Sequence, residues 1–102
     1  MICISTTSNS KDILKKIASK VLKENLSPCT HITQISESNY IWKDEMVEEV
    51  EFKLDIKTIE SHQKQVTSII KELHNYEVFE LTLNQINSIN QKYNDWFNQQ
   101  IK

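Results

Sequence analysis

Residues 29–57 read CTHITQISESNYIWKDEMVEEVEFKLDIK, and the fold turns on how this stretch divides. From Val47 to Lys57 apolar and charged residues alternate: Val50, Phe52, Leu54 and Ile56 fall on one side, Glu51, Lys53, Asp55 and Lys57 on the other. A period of two marks a strand with one buried face. Cys29 to Trp42 is rich in Thr, Ile and Tyr and alternates more loosely, which predicts a second long strand. Between them Lys43-Asp44-Glu45 must reverse the chain, and Asp44 can take the left-handed conformation that a tight hairpin usually gives to Gly.

Working outward, Ile2, Cys3 and Ile4 open a first strand within residues 1–7. From Lys11 to Asn25, Ile13, Leu14, Ile17, Ala18, Val21 and Leu22 recur at helical spacing, with Ser10 placed to cap the helix and Ser27-Pro28 to interrupt it. Beyond the hairpin, Ser61 is placed to cap a second helix whose inward stripe is Val66, Ile69, Ile70 and Leu73. It ends near Asn75, which can replace a C-terminal Gly. Residues 78–83 predict a short fourth strand, and Ile89, Tyr93, Trp96 and Phe97 mark a last helix. The order β-α-β-β-α-β-α is an α+β, ferredoxin-like double βαβ sandwich with an additional C-terminal helix and its helices stacked on one face of the sheet. A single domain over residues 1–102 is expected.

Composition narrows the function. The chain has 12 Lys, 14 acidic residues, and neither Arg nor Gly. Glycine-dependent phosphate loops are therefore excluded, as is bidentate guanidinium recognition. With them go the arginine cradle of an acylphosphatase-like enzyme and the Gly- and aromatic-rich strand of an RNA-recognition domain. No nucleophile with an adjacent base can be placed, so a non-enzyme is expected. The net charge of −2 gives no electrostatic reason to expect nucleic acid or an anionic membrane as partner. Cys3 and Cys29 do not make a disulfide framework and no leader-like run precedes the first strand, so the expected compartment is the cytoplasm. Sixteen Asn and Gln leave the apolar share thin, and self-association would bury more.

Several short motifs occur in one order along the chain: Thr7 after the first strand, Lys20-Val21-Leu22-x-x-x-Leu26 and Cys29, Tyr40-x-Trp42, Ile56-Lys57-Thr58, Ser61-His62-Gln63, His74-Asn75-Tyr76-Glu77-Val78-Phe79-Glu80, and Tyr93-x-x-Trp96. Together they resemble the CutA divalent-ion tolerance family over essentially the whole chain. The segment from His74 to Glu80 is similar to that family's His-Pro-Tyr-Glu-x-Pro-Glu, with Asn75 and Phe79 in place of the two prolines; Lys43-Asp44 stands for a Glu-Gly hairpin. The resemblance implies a homotrimer in which the long hairpins pair between subunits. It also implies binding of copper or another divalent metal ion and a part in metal tolerance.

The resemblance places His74 in the candidate site as a metal ligand; the alternative is a helix-terminal His favoured by the dipole. Cys29 and His31, two apart on a strand, project from one face and could share a soft metal, although a lone Cys is more often a small buried hydrophobe. Lys57, Tyr76 and Glu80 are expected near a cleft between subunits, where they could bind an anionic small molecule or form a structural ion pair. They define an alternative function, a trimeric small-molecule sensor or protein-interaction module. His62 is expected to face solvent, and Trp42 and Trp96 to act as packing or interface anchors.

Overall fold

The hairpin sets the frame of the sheet. In the computed structural model, which describes residues 1–101, the strands are β1 (Ile2–Ser8), β2 (Cys29–Trp42), β3 (Glu45–Thr58) and β4 (Thr82–Gln85). The helices are α1 (Lys11–Lys23), α2 (Gln63–Leu73) and α3 (Gln91–Gln100). The expected boundary at residue 102 lies outside the described residues. All pairings are antiparallel and the sheet order is β2-β3-β1-β4, the arrangement of a double βαβ unit.

One face of the sheet carries the core. Ile2, Ile4, Leu54 and Ile56 pack against Leu14, Ile17, Ala18 and Val21 of α1 and Val66, Ile69 and Ile70 of α2, all buried. Leu54, central in the sheet beside Thr6 and Ile32, has no exposed surface. The α1 N-terminus is capped as expected, Ser10 Oγ accepting from the Ile13 N–H at 3.3 Å. Its C-terminus is closed by Asn25 at φ 58°: the Asn25 N–H donates to the Leu22 carbonyl and the Leu26 N–H to that of Val21. That is a Schellman closure with Asn replacing Gly.

Four local expectations are corrected. Asn75 is not left-handed; α2 ends at His74 in an extended conformation, and Asn25 is the residue that substitutes for a C-terminal Gly. Ser61 does not cap α2 but lies inside a 3₁₀ turn, Glu60–His62, that precedes it. His62 is buried, its Nδ1 3.2 Å from the Leu26 carbonyl, which also accepts from Thr58 Oγ1 at 2.6 Å. The imidazole thus secures the α1–β2 connection and does not face solvent. The fourth strand starts at Thr82, four residues after Val78, because the edge of β1 is already taken at Thr7 by the side chain of His74.

The turn at Lys43-Asp44 has two left-handed residues, at φ 51° and 65°. This is the backbone of a type I′ hairpin built without Gly. Further down the hairpin, Ile35 pairs with Glu51 but Ser38 with Glu49, so Ser36 and Glu37 together oppose Val50. This β-bulge exchanges the faces of β2. Before it Cys29, His31 and Thr33 share a face with Lys57, Asp55 and Lys53; after it Tyr40 and Trp42 stand on that same face, beside Val47 and Glu45. The loose alternation read from residues 29–42 has this origin.

The chain is elongated, 46 × 27 × 20 Å, because the distal hairpin projects past the helices. There Val50, read as a core position, is 47% exposed, while Ile41 is 66% and Met46 85% exposed. The folded surface of 6787 Å² exceeds the roughly 6,000 Å² typical of this mass, and the projection accounts for the excess. The last helix departs from the one-face arrangement: Lys57, on the face opposite α1 and α2, holds its ammonium 5.5 Å from the Tyr93 ring centroid.

Candidate functional site

Residues 74–80 fold back across the end of β1 and fix the site. His74 sits at the end of α2, where the last turn delivers its ring to the edge of β1; its Nε2 is 2.9 Å from the Thr7 carbonyl, and its Nδ1 accepts the Tyr76 N–H at 3.0 Å. These partners define one neutral tautomer, with the proton on Nε2. Burial holds the imidazole below its ordinary value, against the opposing pull of the Thr7 carbonyl and of Glu51. The ring also stacks on Phe79, centroids 4.4 Å apart at an interplanar angle of 10°. Both nitrogens are therefore committed within the chain. To serve as the metal ligand that the resemblance implies, His74 would have to release one of these partners: coordination through Nδ1 needs the lone pair that holds Tyr76.

With His74 fixed, Tyr76 reaches the sheet. Its hydroxyl accepts the Asn9 N–H at 2.8 Å and donates to Glu51 Oε2 at 2.7 Å, with Glu49 Oε1 at 3.3 Å. Burial, then the hydrogen bond to Glu51, push its ionisation well above the ordinary phenol value. Tyr40, turned to this face by the bulge, donates to the same Glu49 Oε1 at 2.6 Å, and that bond pushes its pKa up to about 12. Ser8 Oγ donates to Asn75 Oδ1 at 2.5 Å, and Asn75 Nδ2 donates to Asn9 Oδ1 at 3.0 Å. The result is a groove of about 620 Å³ lined by Thr7, Tyr40, Trp42, Glu51, Tyr76, Phe79 and Glu80 among others.

The residues expected at a site are thus separated into three places. Tyr76 and Glu80 line the groove. Lys57 does not join them, being six residues from Glu51 along β3, about 20 Å for an extended strand, and facing Tyr93. Cys29 and His31 are brought together, Sγ and Nε2 4.0 Å apart, on the sheet edge opposite β4. Among the described residues no three His, Cys, Asp or Glu side chains form a cluster able to hold a metal ion. Glu49, Glu51 and Tyr40 are site residues that the sequence reading missed. The available signal was the spacing Val47-Glu48-Glu49-Val50, which breaks strict alternation and puts Val47 with the glutamates at 49 and 51.

The architecture defines a class: a ferredoxin-like subunit with a projecting hairpin and a groove where its base meets the segment after the second helix. Comparison narrows this to a family. The sequence profile described as "CutA1 divalent ion tolerance protein" matches residues 2–100, and the chain belongs to that family. The chain is 28% identical over 95 residues to a probable divalent-cation tolerance protein cutA homolog of Encephalitozoon cuniculi, covering 93% of this chain and 82% of that one. It is 33% identical over 95 residues to the chloroplastic Protein CutA 1 of Oryza sativa, covering 93% of this chain and 54% of the relative. Among solved structures, CutA1 from Thermus thermophilus superposes with a TM-score of 0.88 at 29% identity over the whole of both chains. CutA1 from Pyrococcus horikoshii superposes with a TM-score of 0.90 at 26% identity, covering 100% of this chain and 99% of that one.

Proposed function

We propose that this chain is a homotrimeric binding protein for a divalent cation, copper among them, acting in metal tolerance without catalysis. Family membership supports the link to divalent cations. The observation that carries metal binding to a place is the Cys29–His31 pair, a thiol and an imidazole 4.0 Å apart on an exposed strand edge. Sulfur and nitrogen donors suit copper or zinc. Two donors do not complete a site, so further ligands come from solvent or from a second copy. Anaerobic titration with copper, followed by calorimetry, should give saturable binding that weakens about tenfold or more in Cys29→Ser and in His31→Ala. Unchanged binding in both variants removes the pair from the site.

Trimer formation is supported by the projecting hairpin, whose exposed Ile41, Met46 and Val50 form an apolar face, and by the long free edge of β2. Light scattering should give three times the 12.0 kDa chain mass; a monomer overturns the assembly. The cytoplasm is the proposed compartment on the ground that both cysteines are free thiols. Relatives are named for other compartments, chloroplastic in rice and periplasmic in Archaeoglobus fulgidus, so fractionation of the source cell is the test.

A second reading is favoured by the groove itself. A concavity of about 620 Å³ flanked by aromatic rings suits a small molecule, which makes the protein a ligand sensor with indirect metal effects. Thermal stabilisation by a metabolite in a chelated sample is its expected signature, and a screen without a hit removes it.

A further inference from the structure

The groove has the wrong charge for an anion. The rings of Tyr40, Trp42, Tyr76 and Phe79 line it together with the carboxylates of Glu51, Glu77 and Glu80, and among the described residues no lysine lines it. Glu51 is 6% exposed, yet its partner there is a neutral donor, the Tyr76 hydroxyl at 2.7 Å. The ion pairs among the described residues, Lys20–Glu72 and Lys53–Asp55, do not include it. A carboxylate withdrawn from water and lacking a counter-charge is costly, and a cation entering the groove would offset that cost. The rings offer the rest of such a site. Electron-rich faces attract cations within about 6 Å, and the Trp42 ring already holds one, the Lys43 ammonium at 6.0 Å from its centroid.

We propose that the groove binds a small organic cation, an alkylammonium or quaternary ammonium group, with Tyr40, Trp42 and Tyr76 as its aromatic walls and Glu51 as counter-charge. The inference rests on the small-molecule reading above and reverses the sign of ligand expected from Lys57, which lies elsewhere. A metal ion fits less well, since aromatic faces supply no lone pair and no third ligating side chain converges there.

Trp42 and Trp96 are the only indoles in the chain, so Trp96→Phe makes Trp42 the sole reporter at the groove. In that background, with chelator present, tetramethylammonium chloride should produce a saturable change in Trp42 emission that sodium chloride at equal ionic strength does not. Glu51→Gln should raise the apparent dissociation constant about tenfold, as expected for loss of one charged contact. Tyr40→Leu, on the exposed hairpin, should weaken binding similarly and serves if the Glu51 variant does not fold. No saturable response, or one indifferent to both substitutions, overturns the proposal. Saturation by an anionic metabolite, or by manganese, without a response to tetramethylammonium overturns the organic cation but leaves the groove as a ligand site. Silence toward ligands of every charge removes both readings.

Discussion

Replacing His74 with Phe keeps an aromatic ring against Phe79 and removes both ring nitrogens. Two hydrogen bonds are lost, to the Thr7 carbonyl at 2.9 Å and from the Tyr76 N–H at 3.0 Å. At about 1 kcal/mol net for each, plus the desolvation of partners left unpaired, the cost is about 2–4 kcal/mol. Urea unfolding at fixed protein concentration measures it, since self-association would otherwise shift the midpoint. The pH dependence supplies an independent signature. Burial lowers the folded-state pKa of His74 below its ordinary 6.5, so between the two values the unfolded chain binds more protons. The stability contributed by the neutral ring is therefore complete above about pH 6.5 and declines as pH falls toward the folded-state value. His74→Phe lacks that component, so the stability gap between wild type and variant should narrow from about pH 7.5 to about pH 5.5. A constant gap, or a variant as stable as wild type, refutes the committed ring. Loss of copper binding in a variant of undiminished stability makes His74 a ligand after all.

Other outcomes follow from the same geometry. Leu54→Ala, at a position with no exposed surface, should cost about 2–5 kcal/mol by denaturant unfolding; a cost below about 1 kcal/mol contradicts its central place in the core. Changing Lys43 to Asn together with Asp44 to Gly should stabilise the protein by about 0.5–1 kcal/mol, because both positions are left-handed; destabilisation contradicts the turn geometry. Ultraviolet titration should find Tyr40 ionising near pH 12, and Glu49→Gln should move it back toward 10.0; no movement dissolves the Tyr40–Glu49 bond.

The helices, the long hairpin and the strand order's class were legible because each has its own period and buries a continuous stripe. What escaped depended on partners distant in sequence. Asn75 and Asn25 are equally suited to a left-handed residue, and only the C-terminal turn of α1, where Leu26 returns onto Val21, selects Asn25. Residues 78–81 have the β propensity of a strand, but His74 occupies the Thr7 carbonyl that strand would need. His62 looked like an ordinary polar residue at a helix start until the Leu26 carbonyl came within 3.2 Å of it. At the site, alternation correctly set Glu51 opposite the core stripe. It could not show that Tyr76, 25 residues later, arrives to bury it. The bulge at Ser36–Glu37 decides which way Tyr40 and Trp42 face, and the loose alternation of residues 29–42 marks its presence without giving its position.

The fastening of residues 74–76 to the end of β1 also fixes an order of events in folding. The His74–Thr7, Asn75–Ser8 and Tyr76–Asn9 bonds each join residues 67 positions apart, whereas Tyr40 and Glu49 are nine apart across a two-residue turn. Loop-closure entropy favours the short separation, so the hairpin wall of the groove can form from local contacts while its other wall waits for residues 74–76 to reach the end of β1. The same inequality holds in reverse. Residues 74–80 form no strand or helix and are held by side chains, which makes them a unit able to open by itself. Hydrogen exchange at the Tyr76 amide should therefore run ahead of exchange in β3, and the groove would gain and lose its second wall in a protein that is otherwise folded.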